Sequence, residues 1–389
     1  MATTEAKHPP PHRTPPHRTP LHREHEALGA SFTDFAGWQM PLRYSGDLAE
    51  HHAVRNAAGL FDLSHMGEIM VVGPGAAAAL DRALLVDASA IGVGRARYTM
   101  ICAPDGGILD DLIVYRLAEQ EYLVVANAAN SPMVAAELTE RVSGERAAVF
   151  DATSEFGLVA IQGPVAAAIL APLCSADLQA LRYYASVHAD VAGRPVLLAR
   201  TGYTGEEGFE LFCVPDDAPL LWAALLEAGA GHGLLPAGLA CRDTLRLEAG
   251  MPLHGHELHA SVTPFHAGLG RVVSSAKPGD YVGRAALAAV AESGPEQVLV
   301  GLVGDSRRAP RHGHPVLDPD TGSTIGTITS GAPSPTLGRP IAMAYVAPGR
   351  AVPGTRLVAD VRGRHEPVTV VELPFYRRPS PTPATSKAG

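Results

Sequence analysis

The stretch from Arg95 to Asn130 reads RARYTMICAPDGGILDDLIVYRLAEQEYLVVANAAN. It contains two apolar runs rich in β-branched and aromatic residues, 113–115 and 122–125, each bounded by polar or glycine residues. Such runs predict strands. Gly106 and Gly107 precede them and predict a tight turn, because glycine tolerates a positive φ. The stretch therefore predicts a turn that leads into a pair of strands.

Two carboxylates, Asp110 and Asp111, stand between the turn and the first apolar run. Successive side chains of a strand point to opposite faces, so one aspartate can face solvent while the other faces a cavity. Tyr115 follows Asp111 by an even offset and shares its face. The spacing does not say which aspartate faces inward. An ordinary acidic turn before a strand is the alternative interpretation, since acidic residues are common in turns.

The segment GGILDDLIVY, with RYTM before it and VVANA after it, resembles the folate-binding core of a known family, the aminomethyltransferases or T proteins of the glycine cleavage system. Further motifs of that family occur in its order along the chain: FAGWQMP (35–41), AAGLFDLSHMG (57–67), IQGP (161–164), TGYTGEEGFE (201–210), ACRDTLRLEAGM (240–251), KPGDYVGRAAL (277–287) and PFYRR (374–378). They cover about residues 24–378. One such motif is weak, but this many in order are specific.

Composition limits the possible partners. The 389 residues suffice for two or three domains. The formal net charge of −9 argues against non-specific binding of nucleic acid or of an anionic membrane. Only three residues are lysine, so nearly all positive charge is arginine, which suits recognition of carboxylates. An acidic ligand and a bias in genome composition both explain that preference.

The cysteines and the apolar runs indicate a compartment. The four cysteines match no zinc or redox spacing and are scattered through a long chain, which favours reduced thiols. No apolar run approaches the ~20 residues needed to cross a bilayer. The beginning of the chain has no apolar core of a signal peptide. We therefore expect a cytoplasmic protein.

The periodicity predicts a mixed α+β fold. Leu48, His52 and Arg55 recur at helical spacing before a stop signal at Gly59, which predicts a helix over 47–58. Apolar residues lie roughly on one side of a predicted helix over 131–142, and 239–248 is predicted to be another helix. After about residue 295, five short strand-like runs alternate with turns that are mostly rich in glycine and proline, which indicates a small all-β barrel or sandwich. The proline-rich segments 1–20 and 379–389 are expected to be disordered tails.

The resemblance implies how these elements are arranged. The family fold has three lobes around a central channel. Residues 21–295 should form two interleaved lobes, about 21–62 with 153–235 and about 63–152 with 236–295. Residues 296–378 should form the C-terminal β-barrel domain.

The resemblance also implies the chemistry. The co-substrate is tetrahydrofolate, the partner is the lipoyl-carrying H protein, and the donor is its aminomethyl group. The products are 5,10-methylenetetrahydrofolate, ammonia and the dihydrolipoyl carrier. An iminium-like cation must form or be trapped, and a buried carboxylate stabilises such a cation and can accept a proton from a folate nitrogen. Positioning is expected to contribute most. No metal is implied.

Particular residues match the family's site. Asp111 matches the second aspartate of its DDL motif, so we assign the catalytic role to Asp111 and expect Asp110 at a turn or on the surface. The folate-binding and substrate-binding matches are Tyr98, Tyr115, Asn127, Tyr183, Tyr184, Tyr203, Glu210, Arg242 and Arg378. The alternative interpretation is that the tyrosines are core residues, that Glu210 is an exposed acid on a strand, and that Arg242 belongs to an ion pair on the surface of a helix.

Neighbouring charges have simpler expected roles. Glu206 and Glu207 are expected in a solvated turn. Arg246 lies one helical turn after Arg242 and is expected to pair with Asp243 or Glu248.

Histidines could suggest a metal site, either in the N-terminal tract or in HGHELH (254–259) with His266. The tract offers no preorganised geometry, and HGHELH lacks the helical HExxH register. His266 and Arg271 stand where the family usually has an acid and a tryptophan, which affects local contacts rather than the core site.

Two rival functions share this fold. One is a demethylase that moves a one-carbon unit from a small amine or sulfonium compound to tetrahydrofolate. The other is a non-enzymatic folate-binding accessory factor. That factor carries a cysteine-containing KGCxxGQE-type signature, whereas this chain has KPGDYVGR without cysteine.

Overall fold

The computed structural model describes residues 16–274 and 276–379. The strands are β1 Ser31–Phe35, β2 Trp38–Arg43, β3 Ala58–Asp62, β4 Gly67–Val72, β5 Arg95–Cys102, β6 Ile108–Ala118, β7 Glu121–Ala126, β8 Ala148–Asp151, β9 Gly157–Gln162, β10 Ser186–Val191, β11 Arg194–Ala199, β12 Gly208–Cys213, β13 Leu234–Pro236, β14 Val298–Gly304, β15 Pro315–Leu317, β16 Thr324–Ser334, β17 Arg339–Val346, β18 Arg356–Asp360 and β19 His365–Val371. The α-helices are α1 His22–Ala27, α2 Asp47–Asn56, α3 Ala76–Ala83, α4 Ser131–Val142, α5 Ala166–Leu170, α6 Ala218–Gly229, α7 Leu239–Glu248 and α8 Arg284–Ser293.

The first sheet has six strands in the order β10-β11-β12-β9-β3-β13. Neighbouring strands of this sheet run antiparallel, except for β13, which runs parallel to β3. Helices α5 and α6 cover one face, where Trp222 and Ile169 pack on Val159 and Ile161 of β9. All six residues of β9 are buried because this strand lies inside the sheet and is covered on both faces.

The second sheet has five strands in the order β5-β6-β7-β4-β8. Side-chain alternation along β6 divides its residues between two cores. Val114 packs with helices α3 and α4 on the outer face. Tyr115 points the other way and packs against Leu158 and Phe212 of the first sheet. The two sheets therefore share a third core between them, and each is covered by helices on its outer side.

The C-terminal strands close into a barrel in the order β14-β17-β16-β15-β18-β19. Helix α7 joins the barrel to the sheets, since Leu247 packs with Ala332 and Met343. The strand-like runs predicted from the sequence overlap all five longer strands of the barrel, although the run at 322–328 covers only the first part of β16. The sequence did not predict β15, because three residues that begin with proline carry no alternation signal.

Most of the predicted elements are confirmed. Helices α4 and α7 have the predicted bounds, and α2 ends two residues early. Gly106 adopts a φ of +86°, as the predicted turn requires. Strand β6 begins at Ile108, however, so both aspartates lie inside a paired strand rather than before it.

The expected terminal tails fall mostly outside the described residues, namely 1–15 and 380–389. For residues 16–20 the expectation of a tail is wrong. The backbone of His17 exchanges hydrogen bonds of 2.8 Å with Gly37 and Gln39, and Thr19 is buried. The first sheet draws its strands from both segments assigned to one lobe, 21–62 and 153–235, with β13 ending at residue 236, whereas the second sheet takes all five strands from 63–152. The lobe boundaries stay a prediction.

Candidate functional site

A cavity of about 1210 Å³ lies where the two sheets, helix α7 and the barrel strand β16 meet. Its wall includes eight of the residues proposed from the sequence: Tyr98, Asp111, Tyr115, Asn127, Tyr184, Tyr203, Glu210 and Arg242. They come from strands β5, β6 and β12, from helix α7 and from three loop positions, and they are up to 144 positions apart in the chain (98 to 242). Tertiary packing therefore brings most of the proposed set to one cavity.

Asp111 faces the cavity from β6 and accepts hydrogen bonds from neutral groups. The Tyr98 hydroxyl donates to Oδ2 at 3.0 Å, and the Asn127 amide Nδ2 donates to Oδ1 at 2.8 Å. Burial raises the pKa of the Asp111 carboxyl, and these two hydrogen bonds oppose the rise. Two hydrogen bonds thus fix the orientation of the Asp111 carboxylate, and burial raises its affinity for a proton.

Asp110 contradicts the expected turn or surface position, because its side chain is fully buried. Its carboxylate accepts the backbone N–H of Asn127 at 3.0 Å. The side-chain amides of Asn127 and Asn130 donate to it at 2.8 and 2.7 Å. Burial, and next the charge of Asp111, raise the pKa of Asp110 to about 7.

Glu210 faces the same cavity from β12. The Thr201 hydroxyl donates to Oε2 of Glu210, and the Tyr115 hydroxyl lies 3.0 Å from the Thr201 oxygen. Burial raises the pKa of Glu210, while the hydrogen bond from Thr201 and the charge of Arg242 lower it. A carboxylate oriented in this way can accept adjacent N–H groups of a planar heterocycle.

Arg242 and Tyr203 form a neighbouring wall. The Arg242 guanidinium lies 4.9 Å from the centre of the Tyr203 ring, and the Tyr203 hydroxyl donates to the carbonyl of Pro252. Arg246, one turn further along α7, is almost fully buried and pairs with Asp243 at 2.8 Å and with Glu257 at 2.9 Å. The expected pairing with Asp243 is therefore confirmed, and the alternative pairing with Glu248 is wrong.

Tyr184 reaches the cavity through an uncommon backbone conformation. Its φ is +56°, and the conformation is held by two backbone hydrogen bonds: the Tyr184 carbonyl accepts from the Ala96 N–H at 2.9 Å, and the Tyr184 N–H donates to the Arg200 carbonyl at 3.0 Å. Tyr183 packs edge-on against it with ring centres 4.8 Å apart. Tyr183 is half exposed and lines a smaller adjoining cavity instead of the main one.

Arg378 also lies off the wall of the main cavity. It pairs with Glu207 at 2.7 Å, and Arg200 pairs with the same carboxylate at 2.8 Å. Glu206 contradicts the expected solvated position, because it is buried and pairs with Arg55 at 2.8 Å. Three arginines thus tie the turn into the protein, two through Glu207 and one through the buried Glu206.

Sequence reasoning did not propose two polar residues of the wall, Asn130 and His65. Asn130 donates to Asp110 at 2.7 Å and to His254 Nδ1 at 3.0 Å. The spacing of Asn127 and Asn130, three apart at the beginning of α4, was an available signal. His65 is 3% exposed, burial lowers its pKa to about 4, and its Nδ1 has no hydrogen-bond partner among the described residues. No local pattern marks His65.

The structure also bears on metals and membranes. Across residues 16–274 and 276–379, no three histidine, cysteine, aspartate or glutamate side chains group closely enough to hold a metal ion. Of the N-terminal histidines, His8 and His12 lie outside the described residues, while His25 bonds to Asp62 at 2.8 Å. None of the helices in the described part of the chain is long and apolar enough to cross a bilayer.

A large cavity between two sheets, into which carboxylates, an arginine and phenols converge, is typical of an enzyme that acts on a small molecule. Family models agree with this architecture. The GCVT N-terminal domain matches residues 21–277, and the glycine cleavage T-protein C-terminal barrel domain matches residues 297–377.

Curated relatives and a solved structure are similar along almost the whole chain. The aminomethyltransferase of Saccharopolyspora erythraea is 66% identical over 354 residues, covering 91% of this chain and 96% of the relative. That of Bacillus subtilis is 42% identical, covering 91% and 97%. The crystal structure of aminomethyltransferase T from Bartonella henselae superposes with a TM-score of 0.87 at 38% identity, covering 93% of this chain and 98% of that one.

The chain belongs to the aminomethyltransferase family, the T proteins of the glycine cleavage system. It is accordingly a transferase with the mixed α+β fold and C-terminal barrel of that family.

Proposed function

We propose that the cavity transfers the methylene of the aminomethyl-lipoyl H protein to tetrahydrofolate, giving 5,10-methylenetetrahydrofolate. The observation that supports this most directly is Asp111, a cavity-facing carboxylate that accepts hydrogen bonds from Tyr98 and Asn127. Both partners are neutral donors, so its negative charge is not cancelled by an adjacent cation. A cation that develops on the transferred carbon would be stabilised at this place.

The balance of the reaction requires a group that handles protons. The donor carbon loses its bonds to sulfur and to the ammonium nitrogen, and it gains two bonds to folate nitrogens. Two protons leave those folate nitrogens; one ends on the sulfur and the other leaves with ammonia as ammonium. Asp111, whose pKa is raised by burial, is suited to accept and return one of them.

Glu210 would hold the other end of the folate. Its carboxylate can accept two parallel hydrogen bonds from the amino and ring N–H groups of the pterin. Tyr115 and Thr201 fix its orientation, and the nearby Arg242 favours its ionised form. The Tyr98 and Tyr184 rings line the same cavity and would flank the ring system. We also propose Tyr183 and Arg378 as contacts for parts of the substrate outside the main cavity.

The test is a coupled assay for methylenetetrahydrofolate, with aminomethylated lipoyl H protein and tetrahydrofolate as substrates. We expect Asp111→Asn to lower kcat by about 10²–10⁴-fold, the range for loss of a positioned acid–base group. Asp190→Asn, at an exposed turn, is the matched control and should leave kcat unchanged.

Wild-type turnover in Asp111→Asn would contradict the assigned role. Tetrahydrofolate binding without turnover of this donor would contradict the proposed reaction and favour a demethylase, to be tested with small amine donors. The cytoplasm is the proposed compartment, which is consistent with four free cysteines.

A further inference from the structure

We propose that Asp110 is a positioning residue, which holds Asn127 so that its amide N–H groups face the two aspartates and its Oδ1 is left to accept a hydrogen bond from the ligand. Asn127 lines the cavity, whereas Asp110 is fully buried and does not. Asp110 would thus act on the reaction only through its neighbours. The kinetic test of this proposal rests on the proposed function, whereas the test by NMR does not.

The amide orientation follows from what surrounds Nδ2 of Asn127. Three oxygens lie within reach: Oδ1 of Asp110 at 2.8 Å, Oδ1 of Asp111 at 2.8 Å and the carbonyl of Asp111 at 3.2 Å. All are acceptors when the carboxylates are ionised. Rotating the amide by 180° would place its own oxygen against these three oxygens, so only one orientation satisfies the network. Oδ1 is then the free acceptor.

Asp110 contributes more to this arrangement than Asp111 does. It anchors both the backbone N–H and the side chain of Asn127, at 3.0 and 2.8 Å. The carboxylate therefore fixes the start of the loop after β7 as well as the amide. Without it, Asn127 would keep a single side-chain carboxylate partner, Asp111, and its rotamer would be free to change.

A second chain of hydrogen bonds connects Asp110 to His254 through Asn130. Asn130 donates from the same Nδ2 to Asp110 at 2.7 Å and to His254 Nδ1 at 3.0 Å. Because Nδ1 accepts, the neutral imidazole of His254 carries its proton on Nε2. Asn130 and His254 both line the cavity. One buried carboxylate thus orients three polar side chains of the wall.

Asp110→Asn tests the proposal. Asparagine replaces one acceptor oxygen by a donor, which must then face an N–H of Asn127 or Asn130. It also removes a negative charge beside Asp111. We expect kcat/KM to fall by about 10–100-fold, the usual cost of losing an outer supporting group. The dependence of kcat/KM on pH near 7 should weaken, because the variant lacks the Asp110 carboxyl, whose pKa is raised to about 7 by burial and by the charge of Asp111.

A double-mutant cycle shows whether Asp110 acts through Asn127. We expect Asp110→Asn to lower kcat/KM strongly in the wild-type background and little further in Asn127→Ala. Fully additive losses, or an Asp110→Asn enzyme with the wild-type rate and pH profile, would overturn the proposal. Asp190→Asn again serves as the control.

A measurement on the unmodified protein keeps the proposal testable if the variant does not fold. Both side-chain amide hydrogens of Asn127 should exchange with solvent slowly in NMR spectra, since both are hydrogen-bonded. Those of the exposed Asn56 should exchange fast. Equal fast exchange at Asn127 and Asn56 would refute the orientation. This readout needs no turnover, so its failure is distinct from failure of the proposed reaction.

Discussion

Replacing Arg55 with methionine should lower the free energy of unfolding by several kcal/mol. The Arg55 side chain is only 3% exposed and lies at the junction of α2, α7 and the turn after β11. Its guanidinium donates to Glu248 at 2.9 and 3.1 Å, to Glu206 at 2.8 Å and to the carbonyl of Thr204 at 2.8 Å. It also lies 4.1 Å from the centre of the Tyr376 ring.

The magnitude follows from what is left behind. Methionine keeps the apolar volume but leaves two buried carboxylates without their cation. Breaking a buried ion pair by removing one partner costs about 3–5 kcal/mol. Burial raises the pKa of Glu248, but His51 at 3.2 Å and then the hydrogen bonds from Ser334 and Thr336 lower it to about 2; the variant keeps these contacts, so Glu248 stays ionised. Glu206 loses its ion pair, and we expect the upper half of the range.

Urea unfolding would measure the change, followed by circular dichroism and by tryptophan fluorescence. Coincident transitions would justify a two-state free energy. Arg43→Met is the matched control, because Arg43 pairs with Asp47 at 3.1 Å while both side chains are more than 40% exposed. An exposed pair contributes only about 0–1 kcal/mol. The double variant Arg55→Met with Glu206→Gln should recover part of the loss, since it removes one unpaired charge.

The reasoning would be refuted by an Arg55→Met protein no less stable than Arg43→Met. That result would mean that water reaches Glu206 and Glu248 and solvates them. A loss that the Glu206→Gln change does not reduce would mean that the cost comes from lost packing on Tyr376 instead.

Two further perturbations test other parts of the fold. Glu68 is buried, both its carboxylate oxygens lack a partner among the described residues, and burial raises its pKa well above 4.5. The folded state thus keeps a proton that the unfolded chain releases, so wild-type stability should fall by up to about 1.4 kcal/mol per pH unit as pH rises above 4.5 towards the folded pKa. Urea midpoints at pH 5, 6 and 7 should show Glu68→Gln gaining on the wild type; a constant difference would contradict this. Gly107→Ala should cost about 1–3 kcal/mol, because its Cβ would meet the Ala260 carbonyl at 2.0 Å. Gly107→Ala should have a lower midpoint of thermal unfolding than Gly349→Ala, because a Cβ at Gly349 would meet open space. Equal midpoints would disprove the clash at Gly107.

Local patterns were sufficient for the elements and for the family. Helix α7 and the five longer barrel strands follow from apolar periodicity and turn residues, which act over a few positions. Alternation along β6 correctly placed Asp111 and Tyr115 on one face, since both line the cavity. Motif order along the chain indicated the family, because motif matching does not require knowledge of distant contacts.

Contacts between distant segments could not be anticipated. Asp110 is buried because Asn127 and Asn130, from the loop before α4, pack on it and supply three N–H groups. Nothing within its own strand distinguishes it from a surface acid. Glu206 is buried because Arg55, about 150 positions earlier, reaches the same turn.

The amino-acid sequence was thus enough to predict most of the secondary structure, the family and a set of candidate site residues, since those predictions depend on residue type and local spacing. The burial of each charge, the partner it pairs with and the orientation of Asn127 depend on which segments meet in three dimensions. Those properties arise from packing between β6, the loop before α4 and helix α7, and a linear pattern contains no measure of that packing.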